Sequence, residues 1–144
     1  MSIVDYGKIE CSKGIPLPLM VAKVQAGFPS CADEFIEKTL DLNELMIQHP
    51  QATFFVRVEG DSMKDAGISS GDILLVDRAL TPACGKIVIA IVNGEFLVKR
   101  LKIQENGNIL LLSENKNYKP LVIDKDSLEL QIWGVVTYVI HKAK

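Results

Sequence analysis

From about residue 52 onward, apolar residues come in short runs broken every few positions by Gly, Asn, Asp and Ser. Runs of this length, rich in Val, Ile and Phe and bounded by turn formers, predict β-strands. The candidate strands are Thr53–Glu59, Asp72–Asp77, Lys86–Val92, Glu95–Ile103, Ile109–Leu112 and a long Leu128–Ile140. Asn93-Gly94 and Asn106-Gly107 stand between apolar runs and signal hairpins, and Ser69-Ser70-Gly71-Asp72 marks another turn. Closely spaced strands without long intervening helices predict a mainly β, compact and largely antiparallel domain.

The first 32 residues follow neither the helical nor the strand period. Pro16, Pro18 and Pro29 punctuate them, and Gly7, Gly14 and Gly27 loosen them. Ile15–Val21 is apolar and extended in character, so the segment reads as an arm that docks on a surface. Within it, Ala26-Gly27 offers an extended backbone with little side chain, suited to entering a narrow cleft. Two short helical signals follow. Asp33–Lys38 begins with acidic residues, and Asp41–Ile47 has an N-cap Asp with Glu three residues on, before Pro50 halts continuation. The expected division is an arm over 1–40 and a β-rich domain over 41–144.

The chain has 144 residues, 48% of them apolar and 24% charged, enough for one domain with a hydrophobic core. A net charge of −2 argues against a dedicated nucleic-acid binder, because phosphate affinity comes from clustered Lys and Arg. Cys11, Cys31 and Cys84 are an odd set at wide spacing, which fits a reducing compartment and gives no disulfide framework. With only His49 and His141 beside them, a zinc site or a Ser-His-Asp triad has few candidates. No apolar run approaches the ~20 residues of a membrane span, and no secretory leader pattern opens the chain, so the cytoplasm is the expected location.

Two residues suggest chemistry. On a strand Leu97, Lys99 and Leu101 share a face, which puts a lysine between two leucines. If Lys99 is buried, lost hydration lowers its pKa from about 10.4 and yields a neutral amine able to take a proton. If its stem only lies along the leucines, the ammonium reaches water and does no chemistry. Ser62, in Gly60-Asp61-Ser62-Met63, has two readings as well. It can cap a short helix over Met63–Ala66, or it can act as a nucleophile with backbone N–H groups facing a developing oxyanion. Cys84 has no neighbouring His and reads as an incidental thiol, and Trp133 and Tyr138 read as core or interface aromatics.

Taken together, several stretches resemble the S24 family of self-cleaving serine peptidases, and within it the UmuD-type branch. They are Ala26-Gly27-Phe28-Pro29-Ser30, Asp41-Leu42-Asn43-Glu44-Leu45, Gly60-Asp61-Ser62-Met63, Gly71–Asp77, Gly94–Leu101 and Trp133-Gly134-Val135-Val136. The resemblance covers nearly all of the chain from Gly27 to about Tyr138. It implies that Ser62 is the nucleophile, Lys99 the general base and Ala26–Gly27 the scissile bond, with no cofactor and no metal. It implies a curled antiparallel β-domain, like the C-terminal half of LexA-type repressors, with a mobile N-terminal arm. It further implies a homodimer whose self-cleavage is stimulated by a RecA–single-stranded-DNA filament. The trimmed form would then join a Y-family, UmuC-type polymerase in error-prone translesion synthesis during the SOS response. The first 26 residues lack the paired-helix pattern of a helix-turn-helix domain, so direct sequence-specific DNA binding is not expected. Other readings stay open: a regulatory binding subunit that does not cleave itself, or a processing peptidase acting in trans.

Overall fold

The computed structural model describes residues 1–9, 16–20, 36–127 and 129–144. Two compact units are present, one formed by residues 1–9 with 51–144 and the other by 10–50.

The larger unit is an eight-stranded antiparallel sheet closed on itself. Its strands are β1 (Ser2–Lys8), β4 (Thr53–Glu59), β5 (Ile73–Asp77), β6 (Ile87–Val92), β7 (Glu95–Ile103), β8 (Ile109–Leu112), β9 (Leu121–Ile123) and β10 (Leu130–Ile140). Their spatial order is β1-β4-β5-β10-β6-β7-β8-β9, and a further β1–β7 pairing, Ser2 opposite Leu97, closes a barrel. This pairing covers the start of the β1 edge, which a flat sheet would leave open. The mainly β, antiparallel architecture expected from the sequence is what the chain adopts.

Strands β4, β7 and β8 have the predicted limits, and β5, β6 and β10 differ from theirs by one or two residues at one end. Asn93 and Gly94 both take positive φ, 50° and 82°, as a two-residue hairpin between right-twisted strands requires. The run Ile87–Val92 is apolar throughout because β6 is covered on both faces. Ile89 joins one core cluster with Val56, Val58, Met63, Leu74 and Val98, while Val88 and Ala90 join another with Leu101, Leu111 and Val135.

Some elements escaped the sequence. Residues 2–8 show no alternation in sequence, yet they form β1, with Met1 and Ile3 packed at the inner cluster. Strand β9 is three residues long, too short for a pattern.

The smaller unit pairs β2 (Pro16–Met20) with β3 (Ile36–Asp41), followed by helix α1 (Leu42–Met46). The extended character of Ile15–Val21 is realised in β2. The helical reading of Asp33–Lys38 is overturned for residues 36–38, which lie in β3. Three acidic residues favour a helix start only weakly, and the strand pairing with 16–20 supplies more backbone bonds than an isolated turn. Helix α1 begins as expected, with the Asp41 carboxylate accepting from the backbone N–H of Asn43 at 2.9 Å.

Candidate active site

Strand β4 runs into Gly60, whose φ of +104° turns the chain sharply. Asp61 and Ser62 follow, and then Met63, whose side chain is fully buried in the inner core cluster. Met63 anchors the turn from below: its carbonyl accepts from both Ala66 and Ile68. Ser62 is thereby held at the barrel wall with only 1% of its surface exposed. The turn after it is a short 3-10 helix, Lys64–Ala66, which has no side-chain cap. The capping reading of Ser62 is therefore not realised.

Lys99 stands in the middle of β7 opposite Val88, and it is 6% exposed. The snorkelling alternative thus fails, because the ammonium end stays in the wall. Its Nζ donates to Ser113 Oγ at 2.6 Å and lies 5.5 Å from the centre of the Tyr118 ring. Burial pushes the Lys99 pKa below lysine's ordinary 10.5, and a hydrogen bond with the amino terminus offsets part of that shift.

What joins Ser62 to Lys99 is the amino group of Met1. It donates to Ser62 Oγ at 2.5 Å, and it lies near enough to Lys99 for the two amines to shift each other's pKa. Burial and the neighbouring Lys99 charge lower its pKa from 8.0 to about 6, with Asp61 opposing. The Met1 carbonyl accepts from Val98 N at 3.1 Å, which seats the chain start between β4 and β7. In this arrangement both side chains face a single nitrogen.

The loop after β8 clamps the serine turn from the other side. Asn115 Nδ2 donates to the Asp61 carbonyl at 2.9 Å, the Tyr118 hydroxyl donates to Asp61 Oδ1 at 2.6 Å, and Asp65 N donates to the Glu114 carbonyl at 2.8 Å. The Asp61 hydrogen bond holds the Tyr118 pKa above its ordinary 10. Arg100, on the opposite face of β7 from Lys99, pairs with Glu114 and donates to the Gly85 carbonyl.

The structure thus gathers Ser62 and Lys99, while Ala26 and Gly27 lie outside the described residues. Met1, Ser113, Asn115 and Tyr118 were not legible as site residues. Ser113–Tyr118 reads as an ordinary polar turn, and nothing local to it or to Met1 points toward Ser62. Cys84 is exposed, and Trp133 packs with Phe54, Phe96 and the Arg78 guanidinium, away from these contacts. Among the described residues no cluster of His, Cys, Asp and Glu could hold a metal ion. None of the described helices is long and apolar enough to cross a membrane.

A closed antiparallel β-barrel carrying a buried serine and a buried lysine defines the class. Comparison with known proteins gives the family: residues 18–137 match the model described as Peptidase S24-like. Protein SamA of Salmonella typhimurium (strain LT2) is 50% identical over 127 residues, covering 88% of this chain and 86% of SamA. Protein MucA of Escherichia coli is 43% identical over 122 residues, covering 85% of this chain and 82% of MucA. The LexA repressor of Shewanella woodyi is 38% identical over 129 residues, which span 90% of this chain and 60% of that repressor. The chain belongs to the peptidase S24-like family.

Proposed function

We propose that the chain is a self-cleaving serine peptidase that cuts its own Ala26–Gly27 bond with Ser62 as nucleophile and Lys99 as general base. The observation that carries this reading is the convergence of a buried serine and a buried, pKa-lowered lysine on one nitrogen. In the reaction the neutral Lys99 amine takes the Ser62 proton as Oγ attacks the Ala26 carbonyl carbon. The tetrahedral intermediate collapses, the Ala26–Gly27 C–N bond breaks, and Lys99 returns the proton to the departing Gly27 nitrogen. Water, deprotonated by Lys99, then hydrolyses the Ala26 ester and restores Ser62. On this reading the Met1 amine gives up its bond to Ser62 Oγ before the serine attacks.

The family membership and the relatives SamA and MucA support placing this cleavage in the SOS response. On this reading a RecA–single-stranded-DNA filament stimulates cleavage in the cytoplasm by favouring entry of the Ala26–Gly27 bond. The trimmed chain, as a homodimer, then serves as accessory subunit of a Y-family polymerase in translesion synthesis. A second reading, a regulatory binding subunit that does not cleave itself, is favoured by the occupation of Ser62 by the Met1 amine.

Mass spectrometry of the full chain, incubated from neutral pH to about 10, separates the two. A new species beginning at Gly27, accumulating faster as pH rises and absent from Ser62→Ala and Lys99→Ala, is the expected result. A chain that stays intact at every pH, with filament added, would overturn self-cleavage and turn the reading to the binding subunit.

A further inference from the structure

Lys99 must do more than be neutral; it must be aimed. A neutral primary amine has two N–H bonds and one lone pair, and only the lone pair can take the Ser62 proton. Lysine's four-carbon stem rotates freely when nothing holds its end. Orientation therefore has to come from acceptors for the two N–H bonds.

The sheet places one acceptor there. Strand β8 pairs with β7 through Leu112 opposite Arg100, so the next residue along, Ser113, falls beside Lys99. Ser113 Oγ accepts from Lys99 Nζ at 2.6 Å. The titratable and charged groups facing Nζ are the Met1 amine from β1, the Tyr118 phenol from the loop after β8, and Asp61 behind that phenol. Of these, the Met1 amine is also seated on β7 by strand pairing, but it is engaged with Ser62 Oγ, which leaves Ser113 as the acceptor that the sheet sets beside Nζ.

We propose that Ser113 is the positioning residue of the Ser62–Lys99 pair, accepting one N–H of Lys99 so that the lone pair of Nζ is directed at Ser62 Oγ. This rests on the self-cleavage reading above. It also fixes a sign. A hydroxyl accepting from a lysine binds the ammonium more strongly than the neutral amine, because the charged donor makes the stronger bond. Removing it therefore lowers the Lys99 pKa further while loosening the aim of the base. Two rival roles give the opposite sign. If Ser113 only fills space, its loss admits water and returns Lys99 toward 10.5. If its hydroxyl instead donates into the Lys99 lone pair, its loss removes a bond that favours the neutral form, and the pKa rises.

The experiment uses the full chain in two arms. Self-cleavage of the wild type, Ser113→Ala and Ser113→Thr is followed by mass spectrometry across alkaline pH. In parallel, 13C-labelled lysine is titrated by NMR at Lys99 in Ser62→Ala, with and without Ser113→Ala. The expected result is a cleavage plateau about ten- to a hundredfold lower in Ser113→Ala, the range set by misplacing a catalytic group. Its rise is displaced to lower pH, threonine restores the rate, and Lys99 titrates at lower pH in the NMR arm. An unchanged plateau, or a displacement to higher pH in either arm, would overturn the role of Ser113. A wild type that never cleaves overturns the self-cleavage reading alone. The NMR arm then decides Ser113 by itself: a lower titration sustains its bond to Lys99, and an unchanged or higher one removes it.

Discussion

Lys99 shows how one residue works against the fold that holds it. Burial keeps its pKa below 10.5 in the folded chain, whereas the unfolded chain binds that proton at the ordinary value. Between those two values the unfolded state carries more protons than the folded state, so stability increases with pH across that window. Below the window both states are protonated, and folding bears the full cost of a desolvated ammonium. We expect the melting temperature of Ser62→Ala to rise with pH through this range relative to Ser62→Ala carrying Lys99→Met, which lacks the group. Parallel melting curves for the two would mean that Lys99 titrates as an exposed lysine does. Asp72 illustrates the opposite economy. It is buried, yet its carboxylate accepts from Ser69 N at 2.8 Å and lies 2.6 Å from His141 Nδ1, so its oxygens have hydrogen-bond partners on the spot.

Among the elements, β10 is constrained from both sides. It pairs with β5 on one side and β6 on the other, with register shifts between Ile132 and Gly134 and between Val136 and Tyr138. A β-carbon at Gly134 would come within 2.5 Å of Val76 Cγ1 and 3.3 Å of Arg78 Cγ. Val76 is β-branched, stiff at χ1 and fully buried, so a side chain at Gly134 would meet a neighbour that yields little. Gly134→Ala should lower the unfolding free energy by about 1–3 kcal/mol. Urea denaturation measures this, and a midpoint equal to the wild type would show that the strand relaxes at no cost. The sequence already told a strand here, because the apolar run is long. It could not tell the irregularities, which depend on two neighbours that are distant in the chain.

For the whole molecule, β1 is the element on which closure and access both turn. It pairs with β4 from Ser2 opposite Glu59 to Lys8 opposite Phe54, touches β7, and delivers the Met1 amine to Ser62. The same occupant opposes the chemistry twice. It fills the hydrogen-bonding reach of Ser62 Oγ, and its hydrogen bond to Lys99 raises that pKa. A chain starting at Ile9 should therefore cleave itself faster than the full chain. Mass spectrometry reads the rate, and circular dichroism at the same pH verifies that the barrel remains. A slower folded variant would show that β1 assists cleavage instead of blocking it.

The residue pattern by itself determined the strands β4 to β8 and β10, the Asn93-Gly94 hairpin, the α1 cap and the identity of Ser62 and Lys99 as the residues to watch. Each is a local signal, set by alternation, turn chemistry or a polar residue in an apolar run. Only the tertiary structure decided that β1 closes the barrel, that residues 36–38 are strand, and that Ser113, Asn115 and Tyr118 meet the serine turn. These follow from pairings between segments far apart in sequence, whose energies come from mutual burial and shared backbone hydrogen bonds. Whether Lys99 is solvated or buried belongs to the same class, since its surroundings come from β1, β6 and the loop after β8.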